Sequence, residues 1–140
     1  LRPPILTQEG LISAIQTRLN SVEARSGYQI TFIVEGKPQL PPAVETELYR
    51  IVQEALNNIV KHAQAQQVNV HLLQTNQNLQ LTIQDDGQGF DVAAAQQQGR
   101  IGLRSMQERA QKLGGTLIIE SAPGQGTTLK VELLVQAVGK

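Results

Sequence analysis

Hydrophobic residues recur every three or four positions through residues 42–63, which is the spacing of an amphipathic helix. Pro41 and Pro42 introduce this stretch, and proline suits the first turn of a helix. The periodicity places one set of side chains on a single face: Leu48, Ile51, Val52, Ala55, Leu56 and Ile59. We therefore predict a central helix whose apolar face packs against a sheet.

The same periodicity predicts one helix before the central helix and one after it. The first covers residues 8–24, with Thr7 as its N-cap, and ends near Gly27. Its expected inward side chains are Leu11, Ile12, Ile15, Leu19 and Val22. The last helix covers residues 103–113 and ends at Gly114. Its expected inward side chains are Leu103, Met106, Ala110 and Leu113.

Runs that are rich in β-branched residues or alternate between apolar and polar residues predict five strands. They cover residues 28–34, 68–73, 79–83, 116–121 and 127–135. Polar residues 75–78 join the second run to the third, as in a β-hairpin, so these two strands should pair antiparallel. About three helices and five strands predict an α/β (α+β) two-layer sandwich. Its five-stranded sheet should be mixed, mostly antiparallel and covered by helices on one face.

Composition indicates one domain of ordinary size. The chain has 140 residues, of which 40% are hydrophobic, and this is enough for a single core. We expect residues 1–27 to be a junction and first helix of the domain whose core is residues 28–140. Because the chain lacks an initiator Met, we also expect it to be a piece of a longer protein.

Charge and residue counts exclude several kinds of site. Twelve basic and twelve acidic residues leave no net charge, which argues against a nucleic-acid surface. The sequence has no cysteine, and two isolated histidines, His62 and His71, cannot form a zinc cage alone. It also contains no apolar run of the roughly 20 residues that cross a bilayer, and no signal peptide. We expect a cytoplasmic domain that binds its ligand through local geometry.

Two stretches carry candidate chemistry. Glu54, Asn58 and Lys61 follow one another at i, i+4 and i+7, so a carboxylate, a carboxamide and an ammonium group lie along one edge of the central helix. An ordinary solvated helix face would show the same run. Asp85 and Asp86 end a predicted strand before Gly87-Gln88-Gly89, which places an acceptor beside backbone that a flat ligand can approach. A simple turn also fits this second stretch.

Two further stretches are rich in glycine. Residues 99–103, Gly-Arg-Ile-Gly-Leu, enter the last helix, where free N–H groups and the helix dipole can hold phosphate. Residues 124–128, Gly-Gln-Gly-Thr-Thr, precede the last strand and taken alone indicate only a hairpin turn. Between Gly89 and the last helix lies a tract of alanine and glutamine with few groups able to build a core. We expect residues 91–101 to form a mobile loop.

The order and spacing of these four stretches resemble the GHKL ATPase superfamily, which includes gyrases, heat-shock chaperones, mismatch-repair ATPases and histidine kinases. The resemblance covers residues 28–135 and implies a Bergerat-type ATP-binding fold. Residues 53–63, Gln-Glu-Ala-Leu-Asn-Asn-Ile-Val-Lys-His-Ala, are similar to sensor histidine kinases of the nitrate-sensor and membrane-fluidity-sensor group. Residues 102–110, Gly-Leu-Arg-Ser-Met-Gln-Glu-Arg-Ala, are similar to the same group.

The resemblance assigns ligand-binding roles by position. It implies that Asp85 accepts the adenine amino group, with a water held by Thr127, while Gly87 and Gly89 shape the pocket. Asn58 would bind Mg²⁺ through its amide oxygen, which suits a cation that keeps waters and bridges phosphates.

Other positions would meet the phosphates or the nucleotide wall. Glu54 matches the general base or water-orienting group, Lys61 would meet phosphate oxygens, and His62 would lie on the nucleotide wall. Gly102 and the backbone of Leu103 would cap the phosphates.

The chain departs from the family pattern where many relatives have a glycine and this chain has Arg100. Arg100 or Arg104 could reach the terminal phosphate, but Arg104 and Glu108 also form an ordinary i, i+4 pair, which we favour.

The resemblance therefore implies a catalytic domain that positions Mg·ATP for transfer to a histidine on a separate dimerisation helix segment. A response regulator would receive the phosphoryl group, and nucleic acid would have no part. We expect the isolated domain to be monomeric and the parent kinase to be homodimeric. A serine protein kinase of the anti-sigma type and a non-catalytic ATP-sensing module are the alternatives on the same fold.

Overall fold

The computed structural model describes residues 3–98 and 102–134. Within those residues the α-helices are α1 (Pro4–Ser26), α2 (Pro42–Asn58), α3 (Val92–Gln97) and α4 (Leu103–Lys112). A π-helical turn, Ile59–Ala63, continues α2. The strands are β1 (Gln29–Glu35), β2 (Gln67–Thr75), β3 (Asn78–Asp85), β4 (Thr116–Ser121) and β5 (Thr127–Leu134).

The five strands form one mixed sheet in the order β1-β2-β3-β5-β4. Strand β1 pairs parallel with β2, and the other three neighbouring pairs are antiparallel. A parallel pair needs a crossover connection, and α2 provides it between β1 and β2. Thr75 pairs with Asn78, so the predicted hairpin between β2 and β3 is confirmed.

Burial alternates along each strand, so the helices cover one face of the sheet. In β2 and β3 every second residue is buried: Val68, Val70, Leu72, Leu79, Leu81 and Ile83. The residues between them are exposed or half-buried. An antiparallel sheet with one solvated face shows this alternation. The predicted two-layer architecture is confirmed.

The predicted apolar face of α2 is buried against this sheet, and Leu48, Ile51 and Val52 are each 0% exposed. Ala55, Leu56 and Ile59 complete the buried face. Full burial of an aliphatic side chain contributes roughly 1.5–3 kcal/mol. Because so many buried residues anchor α2, the polar side chains along its edge start from a backbone that is held in a fixed position.

Helix α1 differs from the prediction at its start. It begins at Pro4, and its N-cap is Pro3 rather than Thr7, without a side-chain cap. Gly10 then leaves the helical conformation, with φ 83° and ψ 174°, so α1 consists of two segments that meet at a kink. The N–H of Leu11, which starts the second segment, donates to Oε2 of Glu45 at 3.4 Å.

The predicted inward position of Ile12 is wrong, since this side chain is 39% exposed. Ala14 is buried in its place, beside Ile15. The break at Gly10 restarts the helix at Leu11, and from there the buried positions follow three- and four-residue spacing that passes Ile12 by.

The alanine- and glutamine-rich tract is a short helix over much of the segment predicted as a loop. The Asp91 carboxylate caps α3 by accepting the Ala94 N–H at 3.0 Å, and Ala95 is 1% exposed. A good N-cap followed by alanines favours helix even where hydrophobic periodicity is weak. Residues 99–101 of the predicted loop, with Arg100, lie outside the described residues.

Candidate functional site

A cavity opens beside α2 and α4, where β3 and β4 end and β5 begins. Asp85 pairs with Thr127, and Thr127 pairs with Ser121, so the ends of three strands lie side by side. Along β3 the inward positions are Leu79, Leu81, Ile83 and then Asp85, because strand side chains alternate. Alternation therefore sends Asp85 into the core side and leaves its neighbour Asp86 exposed.

The cavity has a volume of about 460 Å³. Most of its lining is apolar, and a few polar groups converge on it. The lining residues are Ala55, Asn58, Ile59, His62, Ile83, Asp85, Gln88, Gly89, Phe90, Leu103, Met106, Ile119, Thr127 and Leu129. Small-molecule sites commonly have this size and this mixture of an apolar wall with few oriented polar groups.

Asp85 is a buried polar residue in the lining of this cavity, with 7% of its surface exposed. Burial raises the pKa of its carboxyl group, and a hydrogen bond from the Gly87 N–H to Oδ1 at 2.8 Å partly opposes that rise. The neighbouring charge of Asp86 raises the pKa further. A partly desolvated carboxylate of this kind binds an N–H donor strongly and selectively.

Two hydroxyl side chains lie at the paired strand ends, where Thr127 is opposite Asp85 and Ser121 is opposite Thr127. Thr127 Oγ1 and Ser121 Oγ are 2.8 Å apart. Ser121 Oγ also accepts the N–H of Phe90 at 3.0 Å and donates to the carbonyl of Gly126 at 3.0 Å. The sequence analysis missed Ser121, since only the β4–β5 register brings it beside Thr127.

The α2 side of the cavity consists of Ala55, Asn58 and the π-helical turn that follows α2. Asn58 and His62 both line the cavity. π-helical turns within helices occur frequently at functional sites. The turn ends at Gln64, which has a left-handed backbone with φ 51°. The helix periodicity predicted Ile59 only as part of the buried face of an uninterrupted helix, and the structure shows that it also lines the cavity.

Glu54 lies outside the cavity lining and instead meets the start of α4. A methyl group on Gly102 would lie 1.8 Å from Glu54 Oε1. Gly102 also has φ 66°, a conformation that favours glycine, and it is the N-cap of α4. Gly102 therefore allows the Glu54 carboxylate to approach the α4 N-terminus closely.

The structure brings six of the ten predicted site residues to the cavity: Asn58, His62, Asp85, Gly89, Leu103 and Thr127. The other four lie outside its lining. Gly87 orients Asp85 through its N–H, Gly102 and Glu54 meet at the start of α4, and Lys61 is exposed on the π-helical turn.

Gly89 allows a close approach between two backbone segments at the cavity edge. It has φ 66°, and a methyl group on it would lie 2.1 Å from the Ala122 carbonyl oxygen. Two further residues of this loop, Gln88 and Phe90, line the cavity and were not predicted. Arg104 forms the local pair with Glu108 at 3.0 Å and is 90% exposed.

Two further findings concern the described residues alone. They contain no group of three or more histidine, cysteine, aspartate and glutamate side chains arranged to hold a metal ion. None of their helices is long and apolar enough to cross a membrane.

Sequence comparison identifies a matching family model and related histidine kinases. The family model for the "Histidine kinase-, DNA gyrase B-, and HSP90-like ATPase" matches residues 43–137. An uncharacterized sensor-like histidine kinase of Chloroflexus aurantiacus is 36% identical over 98% of this chain and 24% of its own length. The signal transduction histidine-protein kinase/phosphatase DegS of Brevibacillus brevis is 36% identical over 95% of this chain and 34% of its own length. The chain thus spans about a quarter to a third of these relatives.

Solved structures share the fold at low sequence identity. The Acinetobacter baumannii histidine kinase AdeS has a TM-score of 0.74 at 11% identity, over 92% of this chain and 65% of its own. The mycobacterial sensor histidine kinase MprB has a TM-score of 0.68 at 21% identity, over 91% of this chain and 95% of its own. The chain belongs to the histidine kinase-, DNA gyrase B- and HSP90-like ATPase family.

Proposed function

We propose that this chain is the Mg·ATP-binding catalytic domain of a sensor histidine kinase, which positions the γ-phosphoryl group for transfer to a histidine on a separate dimerisation helix segment. The carrying observation is Asp85, a buried carboxylate in the lining of a largely apolar cavity. Family membership and similarity to sensor histidine kinases support the assignment. A response regulator would be the final acceptor.

The cavity fits a flat base with an N–H group on its edge. Ile83, Met106 and Leu129 line it with apolar surface against which a purine face can pack. The adenine amino group would donate to Asp85, whose orientation is fixed by the Gly87 N–H at 2.8 Å. Thr127 beside Asp85 would hold a bridging water.

The phosphates would lie between Asn58 and the start of α4. Magnesium, when bound, would supply positive charge that offsets the negative charge of the phosphates. An amide oxygen of Asn58 suits this ion, because magnesium usually takes few protein ligands and keeps waters and phosphate oxygens. Gly102 and Leu103 would offer N–H groups at the α4 N-terminus, where the helix dipole favours anions.

Glu54 would act as the general base or orient the incoming nucleophile at the phosphate end. Its contact with Gly102 keeps this carboxylate at the start of α4. Lys61, exposed on the π-helical turn, would meet phosphate oxygens. Such phosphoryl transfer depends mainly on positioning and on charge stabilisation, so these residues need little covalent chemistry of their own.

The test uses the complete parent kinase with γ-labelled ATP. We expect acid-labile, alkali-stable label, as a phosphorylated imidazole gives, and its loss in Asp85→Asn. Glu120→Gln is the matched control, because it makes the same chemical change at an exposed β4 residue outside the cavity. That control should label like the parent.

Two outcomes would overturn the proposal. Acid-stable label on a hydroxyl residue would instead favour a serine kinase on the same fold. Nucleotide binding without any transfer, in the presence of magnesium, would favour an ATP-sensing module.

A further inference from the structure

The two neighbouring aspartates at the end of β3 point in opposite directions. Asp85 faces the cavity, whereas Asp86 is exposed and binds backbone groups outside it. Asp86 Oδ1 accepts the N–H of Gln66 at 2.8 Å and the N–H of Gln67 at 2.9 Å. The Asp86 N–H in turn donates to the Gln67 carbonyl at 3.3 Å. Three hydrogen bonds thus join the end of β3 to the start of β2.

These bonds hold the carboxylate in its charged form. The N–H groups of Gln67 and Gln66 keep the pKa of Asp86 below the usual value of an aspartate. Charge-assisted bonds to backbone N–H groups are roughly twice as strong as neutral ones. The contact is therefore a strong local tie although Asp86 is exposed.

Gln66 and Gln67, which Asp86 binds, follow closely after residues that line the cavity. Residues 59–63 form the π-helical turn whose Ile59 and His62 line the cavity, and Gln64 then takes a left-handed backbone before Gln66. A second contact joins the same two segments, since the Gln88 side-chain amide donates to the His62 carbonyl. We call the contacts of Asp86 and Gln88 with residues 62–67 the clamp.

We propose that Asp86, through the clamp, is a positioning residue. It sets the placement of the Asp85 carboxylate relative to His62, and thereby the selectivity of the cavity for the adenine amino group. This inference rests on the proposed function, in which Asp85 meets that amino group. Asp85 and Asp86 share one peptide unit, so a shift of the β3 end moves both. A small displacement of a directional N–H···O contact weakens it steeply.

A merely structural role for Asp86 predicts something different. If Asp86 only stabilised the end of the sheet, its loss would lower the melting temperature and reduce the affinity for all nucleotides by the same factor. A positioning role instead changes the ratio between two nucleotides that differ only in the group that Asp85 recognises. Adenosine diphosphate and purine riboside 5′-diphosphate form such a pair, because the second lacks the amino group.

The experiment is calorimetric titration of the 140-residue chain with both nucleotides in the parent, Asp86→Ala and Asp86→Asn. We expect the parent to prefer adenosine diphosphate by about tenfold or more, as a hydrogen bond to a charged group allows. In Asp86→Ala that preference should fall at least severalfold. Asp86→Asn keeps an acceptor oxygen for both N–H groups and should retain most of the preference.

Each outcome decides one point. An unchanged ratio in Asp86→Ala, with equal losses for both nucleotides, would overturn the positioning role and leave the proposed function intact. No preference in the parent itself would overturn the adenine contact of Asp85 and this inference with it. If circular dichroism shows that Asp86→Ala is unfolded, Gln88→Ala decides, because it cuts the clamp at an exposed side chain. A reduced ratio supports the proposal, and an unchanged one contradicts it.

Discussion

Asp85 occupies the last inward position of a strand whose other inward residues are apolar. A carboxylate there costs stability in the free chain, since burial disfavours its charged form and raises its pKa. The same desolvation makes it a strong acceptor for a ligand N–H. The proposed contact with adenine and the stability of the free chain therefore make opposite demands on this residue.

Asp85→Asn should lower the affinity for adenosine nucleotides by about tenfold or more, because a hydrogen bond to a charged acceptor contributes about 1.5–3 kcal/mol. The carboxamide that replaces the carboxylate can also turn a donor toward the adenine amino group. Calorimetry with ATP or ADP measures the change. Binding as tight as in the parent would mean that Asp85 is only a turn residue.

The same substitution should stabilise the free chain, and more so as the pH rises. Because the folded-state pKa of Asp85 is raised, its stability contribution is complete below the ordinary pKa of an aspartate and is lost as the pH rises through the raised value. Asp85→Asn removes this loss. Urea unfolding from about pH 4 to pH 7 should show a growing advantage for the variant. A constant difference in unfolding free energy would contradict it.

Asn58→Ala should weaken binding of the magnesium complex more than binding of the metal-free nucleotide, because only the phosphate end loses an oxygen ligand. Asn58 lines the cavity from the end of α2. Titrations of ADP with magnesium and with a chelator report the two losses. Equal losses would show that Asn58 supports the fold or the base instead.

At the scale of elements, α3 is short and carries few buried contacts. Helix α3 has six residues, and Ala95 is its buried residue. The Asp91 side chain caps the helix by accepting the Ala94 N–H. So few buried contacts offset little of the entropy of ordering a segment. A helix can thus be present here and still open readily.

Amide exchange over residues 91–98 should therefore be fast in the free chain and slower once nucleotide is bound. Backbone amides of α2 offer the internal reference, since Leu48, Ile51 and Val52 are fully buried beside them. Exchange measured by mass spectrometry resolves the two segments. Strong protection of residues 91–98 without ligand would contradict the easy opening of α3.

Periodicity predicted α2 and all five strands because one-sided burial leaves a repeat in residue type. It could not predict the π-helical turn, since a change in backbone hydrogen bonding between residues 59 and 63 leaves the side-chain pattern nearly intact. It also missed α3, where a local cap decides and apolar spacing is absent. Helix α1 was misplaced because its break depends on the backbone of Gly10.

The candidate site was predictable to a similar degree. Strand alternation alone distinguishes Asp85 from Asp86, once the end of β3 is known. Ser121 and Gln88 could not be found in this way, because their positions depend on the register of β4 with β5 and on a loop contact. Sequence resemblance supplied roles, and only the fold showed which side chains share the cavity.

At the scale of the whole molecule, the described cavity and the two histidines are arranged unfavourably for self-modification. His62 lines the cavity, and its carbonyl accepts a hydrogen bond from Gln88. His71 alternates with the buried Val70 and Leu72, so its side chain lies on the opposite face of the sheet. There its Nε2 is 2.7 Å from Glu35 Oε2.

The 140-residue chain should therefore bind Mg·ATP without forming phosphohistidine on itself. Transfer needs an imidazole brought in line with the γ-phosphate, whereas His62 lines the proposed nucleotide cavity and His71 lies on the opposite face of the sheet. Incubation with γ-labelled ATP, followed by an acid-lability test, should leave this chain unlabelled. Label should appear on the dimerisation helices of the parent kinase when they are supplied in trans. Acid-labile label on the isolated chain that is lost in His62→Gln or His71→Gln, while the variant still binds Mg·ATP, would place the acceptor within this chain.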